Sequence, residues 1–205
     1  MLKKLFIRLK NRIFLVNSNP FTEWEVIKLE PESVSWHMKK FVLPMTLIIA
    51  LATFFGYLLA LSIYNYSIIY VAIKAVAAFC ESFFTLWVST LIIKELSVRL
   101  KSPVELTKLF KLFAYSFSAF YTAAIFAGIL ANYKTLGSFL KFLGLFGIFP
   151  FWIGCEMLLN ISSEKRTRFI LVSLVVILFV YFLINWSFGF ALRTVHFAVM
   201  LNENV

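Results

Sequence analysis

Charged residues interrupt two of the most apolar stretches of this chain, and they are the side chains whose chemistry would matter most. Lys74 and Glu81 lie seven residues apart in IKAVAAFCESFF (73–84), and Glu156 follows Cys155 in a second apolar stretch. Ionisable groups at membrane depth usually face the interior of a helical bundle, pair with one another and line proton or ion paths. The chemistry to consider first is therefore binding or transfer of a proton or cation at an intramembrane carboxylate.

The depth of each charge decides which interpretation it favours. A separation of seven residues places Lys74 and Glu81 on one helical face, about 10.5 Å apart along the axis, which is too far for direct contact. Lys74 is nearer the end of its segment, so its long side chain is expected to snorkel to water. Glu81 is near the middle, and it is a protonated structural carboxyl, a proton- or cation-linked site, or a contact to a partner subunit or lipid headgroup. Polar side chains of the third apolar segment could bond it: Tyr115, Ser116 and Tyr121.

Glu156 is expected about one turn from the end of its own segment. Basic residues of the following connection are near enough to pair with it: Lys165, Arg166 and Arg168. The two Cys-Glu pairs therefore lie at different depths, and we expect no disulfide between Cys80 and Cys155.

The composition is that of an integral membrane protein. Of the 205 residues, 61% are apolar and 25 are phenylalanine, and the mean hydropathy is +0.89. Soluble domains are typically about 45–50% apolar. The net charge of +10 points to anionic lipid or to orientation signals, and we expect no nucleic-acid partner.

The apolar pattern predicts an all-α, polytopic membrane helical bundle of five transmembrane helices with an N-terminal amphipathic interfacial arm. Each stretch reaches the roughly 20 residues that a span requires. The predicted organisation is an arm (1–40), a transmembrane domain (41–190) and a short C-terminal tail (191–205). The five predicted spans are 41–63, 68–93, 109–131, 136–160 and 169–190.

The distribution of Lys and Arg predicts the orientation. These residues concentrate in the arm and in the connections 94–108 and 161–168, whereas the other side carries few. By the positive-inside rule the N-terminus is cytoplasmic, and five crossings place the C-terminus outside. A helix should begin at Ser102 to Glu105, with Lys108 and Lys111 at headgroup level.

The first 16 residues predict a basic amphipathic helix on the inner leaflet, with a mitochondrial presequence as the alternative. Its apolar residues follow helical spacing, and the basic residues stand between them. The residues expected at the lipid surface are Lys3, Lys4, Arg8, Lys10 and Arg12.

Small residues predict where the spans pack, because they let helix backbones approach closely. Pro150 should bend the fourth span, because proline removes a backbone hydrogen bond. The alternative is that glycine is simply tolerated in membrane helices. The predicted packing positions are Ala52, Gly56 and Ala60 in the first span, and Gly137, Gly144, Gly147 and Gly154 in the fourth.

The chain offers little for enzymatic chemistry. It contains no aspartate and no phosphate-binding loop, and its two histidines, His37 and His196, are predicted on opposite sides of the membrane. We therefore expect no enzyme activity, metal or cofactor.

Several segments of the chain resemble short bacterial members of the Yip (Ypt/Rab-interacting-protein) family. The chain has Phe117-Ser118-Ala119 where that family commonly has Thr-Pro, so a proline kink is not expected there. The resemblance implies five spans, a cytoplasmic N-terminus and a role in membrane trafficking or organisation. It also implies the bacterial cytoplasmic membrane, with the ER or Golgi membrane as the alternative. The segments are NPFTEWEVIKLE (19–30), FVLPMTLIIALATFFGYLL (41–59), LFKLFAYSFSAFYTAAIF (109–126) and LLNISSEKRTRFILVSLVV (158–176).

Two function classes remain open. The first is a non-enzymatic scaffold or partner-binding subunit, which contacts anionic lipid headgroups and other membrane proteins or a second copy of itself. The second is a small transporter or channel subunit that uses Glu81. The chain shows no inverted repeat and a single mid-membrane charge, which favours the first class.

Overall fold

Helices are the only regular secondary structure in the part of the chain that the computed structural model describes, which is residues 2–64, 66–131 and 133–202. The predicted all-α class is confirmed for these ranges. The helices are α1 (Leu2–Ser18), α2 (Pro20–Lys28), α3 (Val34–His37), α4 (Leu43–Leu59), α5 (Leu61–Tyr64), α6 (Ile68–Arg99), α7 (Leu106–Ser116), α8 (Ser118–Ile129), α9 (Lys134–Phe142), α10 (Ile148–Met157) and α11 (Ser163–Asn202).

Three helices in these ranges are long and apolar enough to cross a membrane, and a fourth span is present if α7 and α8 count as one. The first runs from α3 through a π-helical segment, Met38–Val42, into α4. The prediction of five spans is therefore reproduced only in part. The three single helices are Val34–Leu59, Ile68–Arg99 and Ser163–Thr194.

The fourth predicted span, 136–160, is not one helix. It divides into α9, a 3₁₀ segment (Leu143–Gly147) and α10. Pro150 lacks an N–H and its ring clashes with the carbonyl four residues earlier, so α10 begins just before it, where that N–H is not needed. Gly144 and Gly147 lie inside the 3₁₀ segment and lower its helical propensity further. The proline thus interrupts the span rather than only bending it.

The α7–α8 pair bends by 42° at Phe117, although no proline stands there. The backbone bonds continue through the bend, since the Phe117 N–H donates to the Phe113 carbonyl at 2.9 Å. From outside, the Asn17 side-chain amide donates to the Ser118 hydroxyl at 2.8 Å. The C-terminal end of α1 is therefore attached where the two helices meet.

The arm is part of the folded core. Residues 2–18 form the predicted helix, and α1 packs against α7, α8 and α10, while α2 packs against α10. Leu9, Val16, Trp24 and Ile27 are all buried. The Trp24 indole N–H donates to the Pro150 carbonyl at 2.9 Å, so the first turn of α10 supplies the acceptor. We call this side of the molecule the arm end.

Helix α6 packs against α4, α7 and α11. Helix α8 packs on α4. Helix α11 continues to Asn202, beyond the predicted end near residue 190 and into the predicted tail. Helix α7 begins at Leu106, because the backbone at Glu105 is still extended, which is later than the predicted start at Ser102.

Candidate functional site

The largest group of interacting ionisable side chains lies at the arm end, and we call it the arm cluster. Two helices of the arm, the turn that follows them, α3 and α7 each contribute to it. Its members are Arg8, Arg12, Glu23, Glu30, His37, Lys111 and Tyr115.

Glu30 is the centre of the arm cluster. Its carboxylate accepts hydrogen bonds from Arg12 and from the Tyr115 hydroxyl, the latter at 2.5 Å. Its backbone carbonyl accepts a bond from Lys111 Nζ at 3.0 Å. Arg8 Nη2 lies 3.9 Å from the same carboxylate. The Glu30 side chain is only 10% exposed, so these partners replace most of the water that would otherwise solvate its charge.

Arg12 bridges two carboxylates that are seven residues apart in the chain. One guanidinium nitrogen bonds Glu23 and the other bonds Glu30. The fork of a guanidinium suits such two-sided recognition, and its planar face lies 5.5 Å from the Tyr115 ring centroid. Because all three charged side chains are nearly buried, removing one of them would leave an uncompensated charge.

His37 couples its proton to the Glu30–Tyr115 bond. Its ring is fully buried, and Nε2 lies 2.8 Å from the Pro31 carbonyl, which can only accept. Nε2 therefore carries a proton, and Nδ1 lies 3.2 Å from the Tyr115 hydroxyl. That hydroxyl has one proton, which it can give to a neutral His37 or to Glu30. A doubly protonated His37 would donate to Tyr115 and leave the Tyr115 proton for Glu30.

The arm cluster is suited to holding helices together. Three cations and two carboxylates meet there, and each makes an ion pair or hydrogen bond inside the group. Its one hydroxyl, that of Tyr115, is already bonded to Glu30. Lys111 was predicted at headgroup level, but α7 is buried along this face and carries the ammonium inward to the turn after α2.

A cavity of about 300 Å³ lies between α4, α6 and α8, and we call it the bundle cavity. Both charges of the second apolar stretch line it, so the structure brings Lys74 and Glu81 to one space. Lys74 Nζ lies 6.0 Å from the Tyr57 ring centroid, and the Lys74 side chain is part-exposed. Tyr115, one of the expected partners of Glu81, belongs to the arm cluster instead. The other polar residues of the lining are Thr53, Tyr57, Ser82 and Tyr181.

Glu156 lies outside both of these sites. Its carboxylate accepts a hydrogen bond from Arg166 Nη1 at 2.6 Å, which links the end of α10 to the start of α11. The side chain is 57% exposed, so this pair resembles an ordinary surface ion pair. Cys80 and Cys155 are both free thiols.

Most of the predicted packing glycines lie against α7 or α8. A side chain at Gly56 would meet the carbonyl oxygen of Gly128 at 1.9 Å, so α4 and α8 touch backbone to backbone. The same first-span row includes Ala52 and Ala60, which are both buried. In the fourth segment, the neighbours are Ala127 for Gly137, Phe120 for Gly144, Ser116 for Gly147, and Leu112 with Trp24 for Gly154.

The basic residues of α1 divide between two faces. Lys3 and Lys10 are exposed on one face, whereas Arg12 points inward to the glutamates of the arm cluster. Arg8, one turn before Arg12, is part-exposed with Nη2 3.9 Å from the Glu30 carboxylate. Arg12 follows the buried face because Leu9 and Val16, three residues before it and four after it, are both buried there. The side chain of Lys4 lies outside the described residues.

Sequence reasoning missed the arm cluster almost entirely. Its acidic members come from α2 and the turn after it, and its tyrosine and lysine stand one turn apart on α7. The i, i+4 spacing of Arg8 with Arg12 and of Lys111 with Tyr115 was visible, but the long-range pairing was not. Within the described ranges no group of three or more metal-ligating side chains is found. The side chain of His196 lies outside the part of the structure that is described.

Comparisons of the chain with protein-family models, with curated proteins and with solved structures found no match.

Proposed function

We propose that this chain is a non-enzymatic integral membrane protein that acts as a scaffold or partner-binding subunit in membrane organisation or trafficking. The arm cluster is the observation that carries the proposal. Arg12, Glu23 and Glu30 bind one another and join α1 to α2, and bonds from Tyr115 and Lys111 to Glu30 attach this group to α7. Their charges are used to build a rigid surface at the arm end.

The outward face of α1 gives that surface its chemistry. Lys3 and Lys10 are exposed there, together with the apolar Ile7 and Phe14. Basic side chains next to exposed apolar ones favour the interface of an anionic membrane, where each Lys or Arg near the surface contributes about 1 kcal/mol. The arm cluster would hold this face at a fixed angle to the spans, so that lipid binding and partner binding share one geometry.

The proposed orientation follows the charge distribution, with the N-terminus in the cytoplasm and the C-terminus outside. The bacterial cytoplasmic membrane is the proposed location, and the ER or Golgi membrane is the alternative. The resemblance to the Yip family supports the same role and the same orientation.

Helix α11 offers a second surface for membrane partners. Only 22% of the most apolar 18-residue stretch of α11 is buried inside the protein, against 39% of the corresponding stretch in each of the other two single-helix spans. Lipid or another apolar helix therefore covers most of it in the bilayer. A scaffold needs such lipid-facing area, whereas a compact enzyme domain does not.

Co-purification with matched variants tests the scaffold proposal. Wild type, Glu30→Gln and Glu156→Gln would be solubilised from native membranes in mild detergent, and the co-purifying membrane proteins quantified. A defined set should accompany wild type and Glu156→Gln and be depleted several-fold with Glu30→Gln, because Glu30, unlike Glu156, is bonded both to the arm and to α7. Equal recovery of that set by all three proteins, or recovery of none, would contradict the proposal.

A second function, transport through the bundle, is supported by the bundle cavity, which places Glu81 and Lys74 in one space between three helices. Proton or cation flux into proteoliposomes tests it. Flux that Glu81→Gln abolishes and Glu95→Gln leaves intact would support transport, since Glu95 is an exposed residue of the same helix. Absence of flux in the wild type would remove this function.

A further inference from the structure

Four cations at the ends of α6 and α11 lie outside the sites described above, and we call them the loop patch. Two of them stand at the C-terminal end of α6 and just after it, and two stand in the first two turns of α11. All four side chains are exposed: Arg99, Lys101, Lys165 and Arg168.

A hydrogen bond brings the two chain ends of the loop patch together. The Lys165 ammonium donates to the backbone carbonyl of Lys101 at 2.9 Å, although these residues are 64 positions apart. The turn at Lys101 is itself held by the backbone, because its N–H donates to the Val98 carbonyl at 3.0 Å. An ammonium group has three donors, so Lys165 keeps two of them for another acceptor while its position is fixed.

The charges of the loop patch are not neutralised within the described part of the protein. The ion pairs found within residues 2–64, 66–131 and 133–202 include none of its four members. Glu164, next to Lys165, is exposed and offsets only one of the four charges, so positive charge remains in excess. The other carboxylates of this end pair with other cations: Glu95 with Lys94, Glu105 with Lys108, and Glu156 with Arg166.

The position of the loop patch along the two helices places it beside a membrane surface. Helices α6 and α11 are both long and apolar enough to cross a membrane. Arg168 directly precedes the apolar part of α11, and Arg99 follows Ile93, the end of the apolar part of α6, by about 9 Å along the axis. The headgroup layer extends about 5–8 Å beyond the hydrocarbon core, and long basic side chains reach into it from such positions.

We propose that the loop patch is a binding surface for the headgroups of anionic phospholipids. Phosphate oxygens accept charge-assisted hydrogen bonds from ammonium and guanidinium groups. A zwitterionic headgroup also brings an ammonium, which the four cations repel, so the excess charge favours headgroups without one. This inference deepens the proposed function and rests on it, because it requires the chain to lie in a bilayer.

The loop patch and the arm are carried by different helices of the bundle. Helices α1 and α2 pack on α7, α8 and α10, whereas the patch belongs to α6 and α11. Interfacial anchors determine how a span is tilted in a bilayer. Headgroups bound at the loop patch, together with those at the outward face of α1, would therefore fix the tilt of the spans from two places.

Acylation of lysine amines tests the proposal at single residues. Full-length protein in nanodiscs of phosphatidylglycerol or of phosphatidylcholine would be treated with a limiting amount of an acetylating reagent, and the modified peptides quantified by mass spectrometry. Lys101 and Lys165 should react about fivefold more slowly in the phosphatidylglycerol discs, the effect of one basic residue held at an anionic surface. Lys94 and Lys108 are the matched controls at the same end, and their rates should change little because their charges are already paired.

Two further arms separate the source of the phosphate and the role of the whole patch. Soluble glycerophosphoglycerol added to phosphatidylcholine discs should leave Lys101 and Lys165 reactive, since a free headgroup is not concentrated at the surface. Arg99→Gln combined with Arg168→Gln should reduce the fivefold protection to about twofold or less. Arg193→Gln, which removes an exposed cation at the other end of α11, should keep it. Circular dichroism and size-exclusion profiles establish that each variant is folded.

Four results would overturn the proposal: equal reactivity of Lys101 and Lys165 in both kinds of disc, equal slowing of Lys94 and Lys108, protection by the soluble headgroup as strong as by the lipid, or full protection in the double arginine variant. The first three come from the wild type alone, so they hold whether or not a variant folds. Failure of the protein to enter either kind of disc would contradict the proposed membrane function together with this inference. Any of the four results with an inserted protein contradicts this inference alone, because the co-purification test depends on Glu30.

Discussion

Replacing Glu30 with glutamine should release the arm from the bundle while leaving the transmembrane helices folded. Glutamine keeps the shape and one acceptor oxygen but loses the charge that faces Arg12 and Tyr115. The bond from Lys111 goes to the backbone carbonyl of residue 30 and survives the change. The variant therefore isolates the carboxylate charge.

The size of the effect follows from burial. Removing one partner of a buried ion pair costs about 3–5 kcal/mol. The Arg12 and Glu30 side chains are only 13% and 10% exposed, but Arg12 keeps its second partner, Glu23, in the variant. We therefore expect the substitution to destabilise the attachment of the arm by about 2–3 kcal/mol, within the range for a hydrogen bond to a charged group. That free energy corresponds to an increase of about 30- to 150-fold in the opening equilibrium of α1 and α2.

Hydrogen–deuterium exchange of the protein in detergent measures this opening directly. Backbone amides of α1 and α2 should exchange about 30- to 150-fold faster in Glu30→Gln, while amides in the middle of α6 should be unchanged, because local opening leaves distant helices intact. Glu156→Gln is the matched control. It makes the same chemical change in an ion pair that is 57% exposed on the glutamate side, and such pairs contribute about 0–1 kcal/mol.

Two outcomes would refute the reasoning. If the arm of Glu30→Gln stays as protected as in the wild type, the ion pairs of the arm cluster do not hold it. If Glu30→Gln and Glu156→Gln lose the same amount of protection, the buried ion pair of Glu30 stabilises the protein no more than the exposed ion pair of Glu156.

Three further predictions concern packing, lipid binding and orientation. Gly56→Ala should destabilise the bundle by about 3 kcal/mol or more in denaturant unfolding, because the added methyl group meets a backbone carbonyl of α8 at 1.9 Å. The control Gly189→Ala, which has no atom within 4 Å of the added methyl group, should be neutral or slightly stabilising. Equal effects of the two substitutions would mean that α4 and α8 are not in close contact. Replacing Lys3 and Lys10 together by glutamine should weaken protection of the arm on anionic vesicles by about 2 kcal/mol at low salt and leave it unchanged on neutral vesicles, and a loss on both would count against an electrostatic cause. A phosphatase reporter fused after Val205 should be active and a cytosolic fluorescent reporter dark, and the reverse result would invert the proposed orientation.

The long apolar helices could be predicted because a single local property determines them. Runs of about 20 apolar residues located α4, α6 and α11, and the structure places helices there. The same property failed for 136–160, where length was sufficient but Pro150 and two glycines divide the segment. It also failed at Phe117, because that bend needs no proline. The length of an apolar stretch indicates whether its transfer into lipid is favourable. It carries little information on whether the stretch forms one continuous helix.

The arm cluster was hidden for a different reason. Its contacts to α7 join residues 78 to 103 positions apart, from His37 with Tyr115 to Arg12 with the Tyr115 ring. Local spacing contains no signal for such pairing. The cavity partners Lys74 and Glu81 were visible because one helix carries both, yet the facing walls on α4 and α8 that make the cavity were not.

The contrast between Arg12 and Lys10 shows what sequence reasoning would need in order to do better. Both belong to one basic helix, and net charge treats them alike. Arg12, however, falls on the stripe of Leu9 and Val16, which must be buried, so its charge requires an acid that is buried with it. The nearest acids in the chain are those of 23–32, and two of them, Glu23 and Glu30, fill this role. A basic residue on the apolar face of an amphipathic helix is therefore better assigned to an internal ion pair than to lipid when glutamates follow in the next helix or in the turn after that helix.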